Sequence, residues 1–173
     1  MTAAEIFESV TNGGASDFSA VVKILNQNQA WCLIGGLAVN CYVEPVYTVD
    51  ADVVVVADQL PQISKQLERA GFQIQQFEHS INAKGQRSQL RIQFTTDPRY
   101  QEFLNQREDR EVLGQQVPVA TLENVIRGKI WAWNDQTRRA SKRKKDELDL
   151  LRIAEAYPKF REKIPAEIVE QLQ

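Results

Sequence analysis

The feature that most constrains the fold is a short run of β-branched residues in the segment "TVDADVVVV", from Thr48 to Val56. The stiff side chains of valine pack well on a pleated sheet, so the run predicts a buried β-strand. Aspartate is depleted in strands, and an unpaired carboxylate that faces a core is costly. Asp50 and Asp52, at the start of this strand, therefore need an explanation.

The spacing of the two acids suggests one explanation. Side chains at positions i and i+2 of a strand share a face, so Asp50 and Asp52 point the same way, together with Thr48. Two carboxylates about 7 Å apart at their bases repel each other, but they can converge on a shared cation. Magnesium or manganese suits such oxygen ligands. The alternative is a pair of solvated acids at a strand edge, which this pattern alone does not exclude.

A glycine pair marks a second candidate site shortly before the acids. Gly35 and Gly36 end the apolar stretch "AWCLI" and open "LAVNCYV", which predicts a strand followed by a helix that stops before Pro45. Free backbone N–H groups and the helix dipole can bind a phosphate at such a junction. The alternative is an ordinary tight turn. Together, the two motifs would place phosphates beside the cation that neutralises them.

Periodicity along the chain predicts an α+β fold of α/β-like character, with a small mixed β-sheet flanked by helices and a helical C-terminal part. We expect one domain over residues 1–173, with N-terminal helices in 1–30, the sheet in 31–120 and C-terminal helices in 121–173. The predicted helices cover residues 3–10, 16–28, 60–70, 121–133 and 145–156. Besides the two strands already described, the predicted strands are "FQIQQFE", "LRIQFTT", "REVL" and "VPVA".

Composition excludes several classes of protein. The net charge of −2 predicts no bulk attraction to nucleic acid, so any such contact needs a local patch. The segment "MTAAEIFESV" lacks the pattern of a signal peptide, and no apolar run has the roughly 20 residues of a membrane span. Cys32 and Cys41 are expected to be reduced, buried thiols. These features favour a cytoplasmic protein without membrane contact.

The stretch "LIGGLAVNCYVEPVYTVDADVVV" resembles the signature of the nucleotidyltransferase superfamily, in which a glycine pair precedes an acid-x-acid strand. The Gly-Gly-Leu-Ala element, a threonine before the acids and the later "KKDELDLL" are most similar to AbiEii-like nucleotidyltransferases. The resemblance spans roughly residues 31–155. It implies the nucleotidyltransferase fold, which agrees with the mixed sheet predicted above.

The resemblance also implies an activity. Such an enzyme transfers a nucleoside monophosphate from a nucleoside triphosphate to an acceptor hydroxyl on RNA, protein or a small molecule. Asp50 and Asp52 would be catalytic and bind magnesium or manganese. Because the group includes toxins of toxin–antitoxin systems, an antitoxin is an implied partner. The residues implied to bind the nucleotide are Gly35, Gly36, Thr48, Lys129, Lys145, Asp146 and Asp149.

Two of these residues are also unusual without the resemblance. Lys129 lies in the middle of an apolar stripe on its predicted helix, where it either needs a partner or extends its ammonium to solvent. Asp146 lies on the inward side of the next helix, where the alternative role is to complement the helix dipole. Asp149 is the second acid of that element and could orient Lys129 or another basic residue.

One position departs from the superfamily pattern. A third carboxylate usually comes from a neighbouring strand, which here is "LRIQFTT", with Gln93 at the corresponding place. The carbonyl oxygen of Gln93 can ligate a metal, but a glutamine cannot act as a base. This departure favours a second hypothesis, in which the same fold is a non-catalytic module that binds a nucleotide or a partner.

A third hypothesis rests on a basic run near the C-terminal helices. Six cations within eight residues are either a solvated loop or a patch that binds triphosphate or RNA phosphates in a salt-dependent manner. On the second interpretation the chain could be an RNA-binding protein without nucleotide chemistry. The run comprises Arg138, Arg139, Lys142, Arg143, Lys144 and Lys145.

Overall fold

The computed structural model describes all 173 residues and contains one seven-stranded mixed sheet with helices packed around it. The strands are β1 (Trp31–Ile34), β2 (Asp50–Val55), β3 (Gln73–Gln76), β4 (Ser80–Lys84), β5 (Arg91–Thr95), β6 (Arg107–Val112) and β7 (Gln115–Ala120). The helices are α1 (Ala3–Val10), α2 (Gly14–Leu25), α3 (Gly35–Val39), α4 (Leu60–Arg69), α5 (Pro98–Gln101), α6 (Leu122–Asn134), α7 (Ala140–Ala156) and α8 (Ala166–Val169). Short 3₁₀ segments cover Ala57–Gln59, Glu102–Asn105, Pro158–Lys163 and Glu170–Leu172.

The strand order is β3-β4-β5-β2-β1-β7-β6. The pairs β2–β5 and β1–β7 are parallel, and the other neighbours are antiparallel. The two central strands are the most apolar, and Leu33, Val53 and Val54 are almost completely buried. One cluster of 37 buried apolar residues runs from α1 to α8. The structure therefore confirms the predicted mixed sheet with flanking helices.

The sheet register brings the sequence motifs to one place. Ile34, the last residue of β1, pairs with Asp52 on β2, so the glycine pair follows immediately beside the acids. On the other side of β2, Gln93 of β5 pairs with Asp52. The glycines that open α3 were correctly predicted to lie at a strand-to-helix junction next to the acidic strand.

Several element boundaries differ from the prediction. Strand β4 was missed because Ser80–Lys84 has little β propensity, and it forms because β3 and β5 pair with it on both sides. Helix α3 ends earlier than predicted, at Val39, and α2 spans 14–25 rather than 16–28. Helix α7 begins at Ala140 instead of residue 145, so most of the basic run is helical and is not a loop. None of the helices is both long and apolar enough to span a membrane.

Candidate active site

The glycine pair and the second aspartate are in direct contact. Gly35 has φ +70°, and a Cβ placed on it would lie 2.2 Å from Oδ2 of Asp52. Only glycine combines this backbone conformation with such a close approach. At Gly36 the nearest atoms to an added Cβ belong to Thr48, at an ordinary 3.7 Å. The Asp52 carboxylate thus rests against the backbone of the β1–α3 junction.

Asp52 is a partly buried carboxylate that accepts no hydrogen bond from the protein. Burial raises the pKa of Asp52 above its usual value, and the nearby Asp50 charge adds to this effect. The positive charges of Lys129, Arg138 and Lys142 act in the opposite direction without cancelling it. A bound cation would stabilise the ionised carboxylate directly. Asp52 is therefore available as a cation ligand.

Asp50 has two basic partners that the sequence did not assign to it. Its Oδ1 lies 2.8 Å from Nε of Arg91, and its Oδ2 accepts a hydrogen bond from Nζ of Lys142. Burial alone would raise the pKa of the Asp50 carboxyl, but Lys142 and Arg91 together lower it below its usual value. Arg91 and Gln93 share a face of β5 because side chains alternate along a strand, and the parallel β2–β5 register brings Arg91 opposite Asp50.

Lys129 belongs to a buried charge network between α6 and α7. Its Nζ lies 3.0 Å from Oδ1 of Asp146 and 2.7 Å from Oδ2 of Asp149, and its side chain is only 10% exposed. The remaining oxygens of these acids pair with Nε of Arg138 at 2.8 Å and Nη1 of Arg152 at 2.7 Å. Burial alone would lower the pKa of Lys129, but the Asp149 and Asp146 charges raise it.

This network decides between the interpretations of these residues. Lys129 does not extend to solvent, so the solvent-reaching alternative is wrong. Asp146 lies well beyond the first turn of α7, so complementing the helix dipole is not its role. Asp149 does orient Lys129, as one interpretation of the sequence predicted. In contrast, Lys145 is exposed and has no ion pair.

Three clefts meet at Asp52. The first, which we call the glycine cleft, measures about 220 Å³ and is lined by Gly36, Thr48, Lys129, Lys145, Asp146 and Asp149. The second, the amide cleft, measures about 510 Å³ and is lined by Asp50, Gln75, Asn82 and Gln93. The third, the aromatic cleft, measures about 290 Å³ and is lined by Gly35, Tyr100, Phe103, Asn124 and Trp131.

The predicted nucleotide-binding residues are divided between two of the clefts. Six of the seven residues implied to bind the nucleotide line the glycine cleft, and Gly35 borders the aromatic cleft. Asp52 and Arg138 line all three clefts. The aromatic cleft had no counterpart in the sequence prediction because Tyr100, Phe103 and Trp131 are scattered along the chain.

The oxygen groups at the centre fit a hard divalent cation. Asp50, Asp52 and the amide of Gln93 share one face of adjacent strands β2 and β5. No third carboxylate, histidine or cysteine joins the pair. Beside Gln93, Oδ1 of Asn82 is buried without a hydrogen-bond partner. Two carboxylates with amide carbonyls nearby match magnesium or manganese better than softer metals.

Comparisons with known proteins identify the family and the fold. A family model described as "Nucleotidyl transferase AbiEii toxin, Type IV TA system" matches residues 23–172. A search of curated proteins found no match.

Among solved structures, ANT(2″)-Ia in complex with adenylyl-2″-tobramycin aligns with a TM-score of 0.61 at 11% identity, covering 92% of this chain and 98% of that chain. A putative nucleotidyltransferase from H. pylori gives a TM-score of 0.56 at 17% identity, with 90% and 71% coverage. A nucleotidyltransferase-like protein from Paracoccidioides brasiliensis gives 0.54 at 20% identity, with 78% and 72% coverage. These likenesses show that the fold is that of nucleotidyltransferases.

The family match extends over most of the chain and includes the glycine pair, both strand acids and the Lys129 network. The structure brings these same residues together around Asp52. The chain therefore belongs to the AbiEii nucleotidyltransferase family.

Proposed function

We propose that the protein is a magnesium-dependent nucleotidyltransferase that moves a nucleoside monophosphate from a nucleoside triphosphate to an acceptor hydroxyl. The observation that carries the proposal is the unpartnered carboxylate of Asp52, which lies against Gly35 where the three clefts meet. During transfer, three groups surround the α-phosphorus: the nucleoside, the leaving pyrophosphate and the acceptor. Three clefts around one metal-binding carboxylate suit such a reaction.

In this proposal the triphosphate occupies the glycine cleft. Lys145 is exposed there and has no ion pair, so it can bind a phosphate directly. The buried Lys129 already has two carboxylate partners, so it holds the floor of the cleft in place and contributes its charge from below. The backbone of Gly36 lies open beside Thr48, where no Cβ keeps a phosphate at a distance.

Asp50 and Asp52 would hold the metal, with Gln93 as a further oxygen ligand. When bound, the metal would stabilise the charge that develops on the attacking and leaving oxygens. An oxygen–phosphorus bond forms to the acceptor, the bond to the bridging oxygen breaks, and pyrophosphate leaves with that oxygen. Gln93 cannot accept the hydroxyl proton, so that proton leaves either to the Asp52 carboxylate or to solvent water.

A transfer assay with nucleotides labelled at different phosphates tests the proposal. The protein is incubated with each nucleoside triphosphate, labelled at either the α- or the γ-phosphate, together with magnesium and total cellular RNA or protein. We expect the α-label, and not the γ-label, to enter an acceptor. Transfer of the γ-label would instead indicate a kinase-type reaction, and no transfer despite nucleotide binding would contradict the enzyme hypothesis.

The second candidate function is a nucleotide-binding module without catalysis. Two observations favour it: Gln93 occupies the place of a third acid, and Asp50 is already neutralised by Arg91 and Lys142. The same assay separates the two functions, because the module would bind nucleotide without moving the label.

The family description supports a further proposal, that the protein acts as a toxin with an antitoxin partner. Induced expression in a bacterial host is expected to slow growth, and Asp52→Asn is expected to abolish that effect. Equal growth inhibition by both forms would show that toxicity does not depend on the proposed site.

A further inference from the structure

The aromatic cleft contains a packed group of three rings beside Asp52. Trp131 of α6 stacks on Phe103, with ring centroids 5.7 Å apart and an interplanar angle of 13°. Tyr100 meets Trp131 edge-on at 5.1 Å. Phe103 is fully buried, whereas Tyr100 and Trp131 remain partly exposed and line the cleft. The guanidinium groups of Arg99 and Arg127 each lie 5.3 Å from the Trp131 ring centroid, so the surface offers both ring and guanidinium contacts to a flat, polarisable group.

The same cleft is lined by a side-chain amide whose donor has no partner in the protein. Asn124 is only 6% exposed and lines the cleft. Its Oδ1 accepts a hydrogen bond from Nη1 of Arg127 at 3.2 Å, while its Nδ2 donates to no group of the protein. Because the rest of the residue is buried, this donor is held in place at the cleft and can bind a ligand that supplies an acceptor.

The hydroxyl of Tyr100 is a second free donor at this cleft. It makes no hydrogen bond within the protein, and burial raises the pKa of Tyr100 to about 12, so it stays protonated near neutral pH. The cleft therefore combines apolar rings with polar donors along its edge. This combination matches a heteroaromatic ring with acceptor atoms at its rim.

We infer that the aromatic cleft binds the nucleobase of the nucleoside triphosphate and that Nδ2 of Asn124 donates to an acceptor atom on the base edge. The inference rests on the proposed function. Oδ1 of Asn124 already accepts a hydrogen bond from Arg127, so only Nδ2 is free. Asn124 can therefore bind one acceptor atom of the base, but not an acceptor and a donor together. Asp52 and Lys129 line both this cleft and the glycine cleft, so a single nucleotide can bridge the two through its α-phosphate.

The variant Asn124→Asp tests the inference. Asp has nearly the same size, lies in the first turn of α6 where the helix dipole favours a negative charge, and keeps a partner for Arg127. It therefore keeps the fold while replacing the free donor by an acceptor. Asn134→Asp is the matched control, because Asn134 lies on the same helix, is exposed and makes no side-chain hydrogen bond.

Both variants and the wild type are titrated with the four nucleoside triphosphates and with inorganic tripolyphosphate, all with magnesium. Asn124→Asp is expected to weaken the best nucleoside triphosphate by about tenfold, the scale of one lost hydrogen bond. Its affinity for tripolyphosphate, which has no base, should stay within about twofold of the wild type. Asn134→Asp should match the wild type with every ligand.

Three results would overturn the inference. Unchanged nucleotide affinity in Asn124→Asp would place the base elsewhere. An equal loss for nucleotide and tripolyphosphate would mean that the cleft binds phosphate or that the added charge acts at long range. A wild type that binds no nucleoside triphosphate would refute the proposed function, and the inference with it.

Discussion

At the residue scale, the candidate site depends on one close approach, that of the Asp52 carboxylate to the backbone of Gly35. The sequence pattern located both residues, since a glycine pair after an apolar strand and an acid-x-acid element are both local signals. The contact itself could not be predicted, because it depends on the antiparallel register that sets Ile34 opposite Asp52. For the same reason, Arg91 became apparent as a partner of Asp50 only with the β2–β5 pairing, and Lys142 only with the packing of α7.

Gly35→Ala is expected to destabilise the protein by at least about 1–2 kcal/mol, because an L-residue is strained at positive φ. The added Cβ would also lie 2.2 Å from Oδ2 of Asp52 and force that carboxylate to move. Gly36→Ala is the matched control, since its Cβ would have ordinary contacts and alanine gains up to about 1 kcal/mol in a helix. Urea unfolding measures both, and equal stabilities of the two variants would contradict the described geometry.

Asp52→Asn is expected to be at least as stable as the wild type near neutral pH. Burial raises the pKa of Asp52, so the folded state binds its proton more tightly than the unfolded state does. Ionised Asp52 therefore destabilises the fold at every pH above its folded pKa, and this effect fades as pH falls toward the ordinary value of 3.8. Unfolding curves over a pH series should show that the difference in unfolding free energy between Asp52→Asn and the wild type becomes smaller as the pH falls. If that difference became larger toward acid pH, the pKa of Asp52 would not be raised by folding.

At the element scale, α6 and α7 are joined by the Lys129 network. The apolar stripe on α6 predicted that Lys129 faces inward, and Asp149 was expected to orient it or another basic residue. Sequence rules placed the start of α7 too late, because Arg139 at its N-cap makes no capping hydrogen bond with its side chain and lysines near a helix N-terminus oppose the dipole. Contacts between elements offset this: Arg138 pairs with Asp146, Lys142 with Asp50, and Arg143 donates to the Trp133 carbonyl.

Lys129→Met is expected to destabilise the protein by about 3–5 kcal/mol, because it leaves two buried carboxylates without their shared cation. Asp146 and Asp149 are 2% and 8% exposed, and after the substitution each keeps only its arginine partner, Arg138 or Arg152. Lys145→Met is the control, since Lys145 is exposed and unpaired, and it should change stability by less than about 0.5 kcal/mol. Denaturant unfolding gives both values, and a Lys129→Met variant as stable as its control would mean that the network does not hold α6 to α7.

At the scale of the whole molecule, the sequence supported the family, the mixed sheet and the position of the acids. The aromatic cleft and the amide cleft could not be predicted, because each is lined by residues of several elements that only the complete fold brings together. Strand β4 is an example: its own residues are weak strand formers, yet it carries Asn82 to the side of Gln93. Short sequence patterns thus identified the motifs. The residues that surround those motifs come from distant parts of the chain and depend on the complete fold.

In the proposed function, Asp52 and Asp50 hold a metal-bound nucleotide where the three clefts meet. Calorimetric titration of nucleoside triphosphate into the wild type and into Asp52→Asn, each with and without magnesium, tests it most directly. The wild type should bind at least about tenfold more tightly with magnesium, a difference of about 1.4 kcal/mol, and Asp52→Asn should lose that gain while remaining folded. If the two proteins bound the nucleotide with equal affinity, with or without magnesium, Asp52 would not be a metal ligand.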